Sequence, residues 1–484
     1  MSSEICDYSS SFFNSSITLE NEFQDFDSFL KWFFKRKTSQ SFTVNEIPFN
    51  KLDQWSFTDD NKDLAHESGK FFKIKGISVE TNFGIKNKWE QPIIDQPEIG
   101  ILGILTKVFN GVRYFLMQAK MEPGNVNILQ LSPTVQATKS NFSQVHKGKL
   151  PSYLEYFISE KKSKFLYDQL QTEQGGRFLK KRNRNIVIEV NEDIKVLPDF
   201  CWLTLGEIKK LLTIDNFVNM DARSVISVIP LVDDHLVPVL NKLDFKNIKP
   251  SSYFNISLTK LNYDLINSII SKNNSYKTMD QLISWYTSQK VDYELITKII
   301  PLKNLKDWEI SENSISSGDR HFTVIGVDVI AGNREVTKWT QPLLKDNKIG
   351  LLGILVKKIN GIFHFLIQAK VEPGHIDLIE LSPTVSCSNI SYLEKNKSIL
   401  PKFYKFFKNA NKENILYNTI QSEEGGRFFQ LQNQNMIVII NDDKISLPKN
   451  YTWMTLNQIT HFMKYSKFNI EARSLISSLN FLFK

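Results

Sequence analysis

Cysteine is scarce: Cys6, Cys201 and Cys387 are the only three in 484 residues, and no CxxC pair occurs. So few thiols, so far apart, exclude a disulfide frame or a zinc ribbon and point to a reducing compartment, the cytoplasm. Long hydrophobic runs are missing as well. No apolar stretch reaches the roughly 18 residues that cross a bilayer, so no membrane partner is expected. The opening Met1-Ser-Ser-Glu-Ile-Cys6 has neither the basic start nor the hydrophobic segment of a secretory signal. Also absent are HxxxH and HExxH, a glycine loop leading into Lys-Ser or Lys-Thr, GxGxxG, and a Gly-x-Ser-x-Gly elbow. Metal, ATP, NAD and serine-nucleophile chemistry have no motif here, and no cofactor is expected.

The net charge of +8 invites a nucleic-acid reading, but the positive residues are spread thinly. The one dense cluster, Lys180-Lys-Arg-Asn-Arg184, faces a neutral Gln430-Leu-Gln-Asn-Gln434 at the equivalent place later in the chain. A phosphate-bearing small molecule accounts for such a local cluster as well as DNA does, and no nucleic-acid partner is expected.

What the chain does have is a repeat. Gly100–Thr138 recurs as Gly350–Ser388, with 21 of 39 positions identical and no gap. The length allows two to four domains, and we divide it into a first repeat over 21–231, a linker over 232–265 and a second repeat over 266–484. Apolar positions drift between copies (Met117/Ile367, Met121/Val371), whereas Gln118-Ala-Lys120, Glu122-Pro-Gly124 and Leu131-Ser-Pro-Thr-Val135 stay fixed. A fold needs only hydrophobes of about the right size, so fixed polar residues read as a shared binding surface.

In chain order, residues 1–20 are polar and expected to fray. A helix then follows from Asp27-Ser28, matched by a capping box at Thr278-Met-Asp-Gln281. Alternating segments at Phe71–Ile77 and His321–Val327 read as strands. Asn110-Gly111 and Asn360-Gly361 mark tight hairpins, and on the strand after the first of these Gln118 and Lys120 share a face. Each repeat closes with Gln-x-Glu-x-Gly-Gly-Arg-Phe, a strand, a capped helix and a last helix opening at Asn219 or Asn469. The predicted class is α+β, with mixed, mainly antiparallel sheets and packed helices.

Lys120 with Glu122, and Lys370 with Glu372, fit either a surface ion pair or an acid–base and oxyanion set. Arg177 and Arg427 follow a Gly-Gly pair that lets backbone approach a ligand. Arg223 and Arg473 sit near a helix start, where anions are favoured; carboxylate pairing within the protein is the alternative for all four. Trp89 and Trp339 suit either the core or a nucleobase stack. His66 and His146 have no histidine at the matching place in the second copy. This asymmetry suggests that one half does chemistry while the other only binds.

Trp-x-Gln-Pro, Gln118–Asn125, Gln130–Thr138, Ser140-Asn141, Glu173–Phe178, Arg182-Asn-Arg-Asn185 and Asn219–Arg223 together resemble the NDP-hexose 2,3-dehydratases of deoxysugar pathways, over nearly the whole chain. The resemblance implies two Nudix-like halves, a dTDP-4-keto-6-deoxyhexose substrate that loses water across C2 and C3, a downstream 3-ketoreductase, and a homodimer. The site it implies has Glu122 or His66 as base, and Lys120 with Gln118 at the ketone. Arg177, Arg182 and Arg184 would meet the diphosphate. Trp89, Asn125, Asn127, Gln130, Thr134, Gln136, Thr138, Asn141, His146 and Arg223 would complete the substrate contacts. Trp339, Lys370, Glu372, Arg427 and Arg473 would form an auxiliary nucleotide-sugar site. The alternatives are a metal-dependent nucleoside-diphosphate-sugar hydrolase on the same fold and a non-catalytic tandem binding module.

Overall fold

A computed structural model describes residues 11–39, 41–138, 150–159, 162–232, 259–318, 321–332, 336–346, 348–442 and 445–481. Asn141, His146 and most of the expected linker lie outside the described residues. Among the described residues no helix is long and apolar enough to cross a membrane.

Helices pack around four sheets, three mixed and one antiparallel, an α+β arrangement, and the two segments of the duplication supply matching elements. Each large sheet has a parallel pair at its centre: Gly100–Phe109 beside Arg182–Glu189, and Gly350–Ile359 beside Gln432–Ile439. The strand carrying the fixed lysine, Val112–Met121 or Ile362–Lys370, pairs antiparallel with the first of these. It is reached through the expected Asn-Gly turn, where Asn110 and Gly111 have φ of 46° and 81°, and Asn360 and Gly361 have 51° and 83°. The capping boxes at Thr204, Thr278 and Thr455 are all formed.

The smaller sheets do not respect the order of the sequence. Phe42–Ile47 pairs antiparallel with Thr323–Ala331 of the second segment, and Leu295–Ile300 pairs with Lys73–Thr81 of the first. Short connections explain the exchange. Only residues 39–41 separate Phe42–Ile47 from the helix Phe26–Thr38, so the strand must pair beside the sheet that this helix covers. That neighbour is the second segment's small sheet. Phe29, Phe33, Leu102, Phe115 and Met117 share one apolar cluster with Ile325, Val327, Val329 and Leu343. Each such fully buried side chain contributes about 1.5–3 kcal/mol, so the halves are joined by core and not by a surface contact.

Residues 11–20 are not the frayed end the polarity suggests. Residues 11–17 are helical, and Phe12 and Phe13 are buried in the cores of the first and second large sheets respectively. Ser15 Oγ donates to Arg113 O (2.5 Å) and accepts from Leu205 N (2.9 Å). Ser268 repeats both bonds with Phe363 O (2.6 Å) and Leu456 N (2.9 Å). The helix Lys260–Ile270 is therefore the counterpart of residues 11–17, and its first residues, placed in the linker by the sequence reading, belong to the packed second unit.

Two devices lock the halves together. Arg223, fully buried, donates to Ser474 Oγ (2.8 Å) and Ser422 O (2.6 Å); Arg473 answers with Thr172 O (2.7 Å) and Ser224 Oγ (3.2 Å). Each Glu-Pro-Gly turn also docks on the Gly-Gly-Arg loop of the other half. Gly124 N donates to Gly425 O and Gly374 N to Gly175 O, both at 2.7 Å. A methyl on Gly124 would lie 1.6 Å from Phe428 O, and one on Gly374 would lie 1.8 Å from Phe178 O. Gly124→Ala should therefore lose more than about 3 kcal/mol of stability in chemical denaturation. Gly84→Ala, at a left-handed position with nothing nearby, should lose only about 1–2 kcal/mol.

Candidate active site

The exchange brings the fixed residues together in crossed groups. Around Lys120 and Glu122 stand Gln136 from the same half and Glu424, Gly426 and Arg427 from the other. Around Lys370 and Glu372 stand Ser386 and Cys387 from the same half and Gln174, Gly176 and Arg177 from the other, lining a cavity of about 190 Å³. Repeat order alone groups Arg177 with Lys120 and Arg427 with Lys370. The docked turns reverse that grouping.

On Val112–Met121, Ala119 and Met121 turn inward, while Gln118 and Lys120 point to the opposite, half-buried face. Lys120 Nζ lies 3.2 Å from Glu122 Oε1, with only 16% and 5% of the two side chains exposed, so this is not a surface pair. Gln136 Nε2 donates to the same Glu122 oxygen at 2.8 Å. Glu122 Oε2 is buried with no hydrogen-bond partner among the described residues. One carboxylate oxygen is thus held by a cation and an amide, and the other keeps its lone pairs.

The Trp-x-Gln signature supports the loop from behind. Trp89 Nε1 donates to Gln91 Oε1 (2.8 Å) and Gln91 Nε2 to Gly176 O (2.9 Å). Trp339 and Gln341 repeat the relay to Gly426 O. Arg427 donates to Gly426 O (2.7 Å) and Gln96 Oε1 (3.1 Å) and stacks on Phe72, 4.2 Å from the ring centre. Arg177 stacks in the same way on Phe322 at 4.3 Å.

Several expected contacts are found holding the protein together. Gln130 Nε2 donates to Ser422 Oγ (2.7 Å) across the joint, and Asn127 Nδ2 to Asn216 O (2.8 Å). Thr134 Oγ1 bridges Leu105 N and Leu116 O within the first large sheet. Asn125 Nδ2 bonds Ile128 O (3.1 Å), and its Oδ1 packs against Gly425. Arg223 and Arg473 are the buried cross-ties already described, with their guanidinium groups turned to protein acceptors and not to a diphosphate. Arg184 is held by Asp168 at the sheet edge (2.7 Å from Nε), and Arg182 is exposed. Thr138, half-buried, ends the described part of its loop. His66 stands on the small sheet, its Nδ1 2.9 Å from Ser68 Oγ and its ring against Trp55 and Phe71.

The structure adds buried charges that were not read as site residues. Glu173 accepts from Asn183 Nδ2 (2.8 Å) and is pushed up to about 7 by burial, with Glu424 adding to the shift. Asp221 is raised well above the usual carboxylate range by burial, with Glu424, Glu173 and Glu122 adding. Burial lowers Lys181. At the other site burial works to raise Glu372, but Lys370 at 2.7 Å and His375 at 3.5 Å hold it well below the usual range. The available signal was asymmetry: Glu424 aligns with Gln174, Lys181 with Leu431, and Asn125 and Gln130 with His375 and Glu380.

With this geometry in hand, the comparisons identify the family. The model described as NDP-hexose 2,3-dehydratase matches residues 26–229 and again 279–479. The chain belongs to the NDP-hexose 2,3-dehydratase family. It is 42% identical over 456 residues to a dTDP-4-dehydro-6-deoxy-alpha-D-glucopyranose 2,3-dehydratase of Saccharopolyspora spinosa, covering 93% of this chain and 90% of the relative. Proteins of the same description from Amycolatopsis orientalis and Streptomyces violaceoruber are 39% and 36% identical, over 93% and 95% of this chain and 89% and 98% of their own. Membership makes the protein a hydro-lyase, and the hydrolase and binding-module readings give way to it.

A pH prediction follows from Glu471, which burial and then Glu372 push up to about 8. A carboxyl raised on folding holds its proton more tightly in the native state than in the unfolded chain. Its stabilising effect is complete below about pH 4 and declines as pH rises to about 8. Glu471→Gln should therefore raise the thermal midpoint more at pH 8.5 than at pH 5.5, as measured by calorimetry.

Proposed function

We propose that the protein removes water across C2 and C3 of dTDP-4-keto-6-deoxyglucose, or a close relative, and that the Lys120 site does this with side chains alone. The C4 ketone already acidifies the C3 proton, so the reaction calls for a base at C3, donors to the developing enolate and an acid for the departing C2 hydroxyl. Glu122 is the base, because Oε2 is free to accept a proton while Oε1 is anchored. Lys120, with Gln118 on the same face, stabilises charge at the ketone oxygen. Positioned acid–base groups contribute roughly 10²–10⁴-fold, and an enolate donor a similar amount. Arg427 takes the diphosphate place that repeat order gives to Arg177.

The observation that carries this reading is the anchored Glu122, whose Oε1 is held by Lys120 and Gln136 while its Oε2 has no hydrogen-bond partner among the described residues. A base works best with its pKa near the working pH, and Glu372 is held far below it. The Lys370 site therefore binds the nucleotide sugar without eliminating water. We keep the Nudix likeness of the halves, the homodimer, the cytoplasmic setting and the 3-ketoreductase that takes the diketo product onward as parts of the same proposal.

Incubation with dTDP-4-keto-6-deoxyglucose and a partner ketoreductase should give a nucleotide sugar lighter by one water before reduction. Lys120→Ala should abolish that product and Lys370→Ala should leave most of it. Both lysines are buried and paired with a glutamate, so the second variant controls for lost stability. Equal losses would refute a single working site.

A further inference from the structure

At the position before each Gly-Gly pair the two copies differ in a way that bears on the missing acid. The first copy reads Glu173-Gln174-Gly-Gly and the second Glu423-Glu424-Gly-Gly. Because the loops are exchanged, Gln174 faces the Lys370 cavity and Glu424 faces the Lys120 group. Gln174 is buried, and its amide donates to Glu423 Oε2 at 2.5 Å, which ties that carboxylate down. Glu424 is only partly buried, and its carboxyl group makes no hydrogen bond among the described residues.

Glu424 also converges with the base. A side chain on Gly426 would begin 3.0 Å from Glu424 Oε1 and 3.9 Å from Glu122 Oε1, so both carboxyl groups border one bare patch of backbone. Burial raises Glu424 above the usual carboxylate range; Arg427 and the lysines oppose the rise, and Glu122 adds to it. Glu173 lies behind, raised in turn by Glu424. A carboxylate so close favours the protonated form of Glu424.

We infer that Glu424, from the half read as auxiliary, is the general acid of the Lys120 site and protonates the departing C2 hydroxyl. This rests on the dehydration proposed above. Glu122 takes the C3 proton, and the C3–H electron pair moves into the enolate. The enolate pair then forms the C2=C3 double bond and restores the C4 ketone as the C2–O bond breaks with its electrons on oxygen; Glu424 supplies a proton to that oxygen, and water leaves. The enzyme ends with Glu122 protonated and Glu424 ionised, and one proton transfer between them, directly or through solvent, restores it. Gln174, at the matching place beside the Lys370 cavity, has no proton to give.

The test is Glu424→Gln, which copies Gln174. Water loss should fall by about 10²–10⁴-fold, while exchange of the C3 hydrogen with deuterated water, which needs only Glu122 and Lys120, continues near the wild-type rate. A 2-deoxy-2-fluoro substrate analogue, whose fluoride leaves with less need of a proton, should show a much smaller difference between wild type and variant. Unimpaired water loss in Glu424→Gln would overturn the assignment. So would a parallel loss of exchange and elimination, or the same deficit with the fluoro analogue. A wild-type protein that exchanges and eliminates nothing would instead sink the dehydration proposal itself.

Discussion

Everything else in the molecule depends on the docking of each Glu-Pro-Gly turn into the other half's Gly-Gly-Arg loop. Two short backbone hydrogen bonds per contact fix the approach, and the absence of a side chain at Gly124 and Gly374 permits it. Hydrogen bonds of this kind contribute only about 0.5–1.5 kcal/mol each, so they do not hold the halves together by themselves. Their importance is geometric. They set a catalytic-type lysine and glutamate from one copy against an arginine and a glutamate or glutamine from the other, while the shared core and the Arg223 and Arg473 cross-ties supply the adhesion.

A duplicated chain joined in this way has two sites, each of which draws on both copies, and the copies are free to diverge. The divergence here concentrates charge differently. The Lys120 site has Glu424 and Lys181 where its twin has Gln174 and Leu431. The Lys370 site has the buried pair His375 and Glu380, 3.8 Å apart, where its twin has the neutral amides Asn125 and Gln130. The extra histidine helps to make Glu372 a strong acid and hence a weak base. The two groups therefore share their lysine and glutamate and differ in the charges set around them.

The sequence made local structure plain and left assembly hidden. Helix caps at Thr204, Thr278 and Thr455 and the Asn-Gly hairpins are set by residues within a few positions of one another, and they appear as expected. The exchange of Phe42–Ile47 with Leu295–Ile300 does not show in the pattern, because each strand matches the edge of either small sheet equally well. For the same reason Arg177 and Arg427 were paired with the wrong lysines. Identity between copies is also a mixed signal: Gln130, Thr134 and Arg223 recur or stay polar because the joint and the sheets need them, whereas Lys120 and Glu122 pair with each other and leave Glu122 Oε2 without a partner among the described residues. Residues 11–17 were misjudged from their serines, two of which are buried hydrogen-bonding groups.

The claim most open to direct refutation is that the working site borrows its arginine from the other half. In a Lys370→Ala background, which leaves only the Lys120 site, kcat/KM should be measured for Arg427→Ala and for Arg177→Ala. Hydrogen bonds to a charged group are worth about 1.5–3 kcal/mol, or roughly 10–100-fold in this ratio. The crossed assembly predicts that loss for Arg427→Ala and little change for Arg177→Ala, and the opposite order would contradict it.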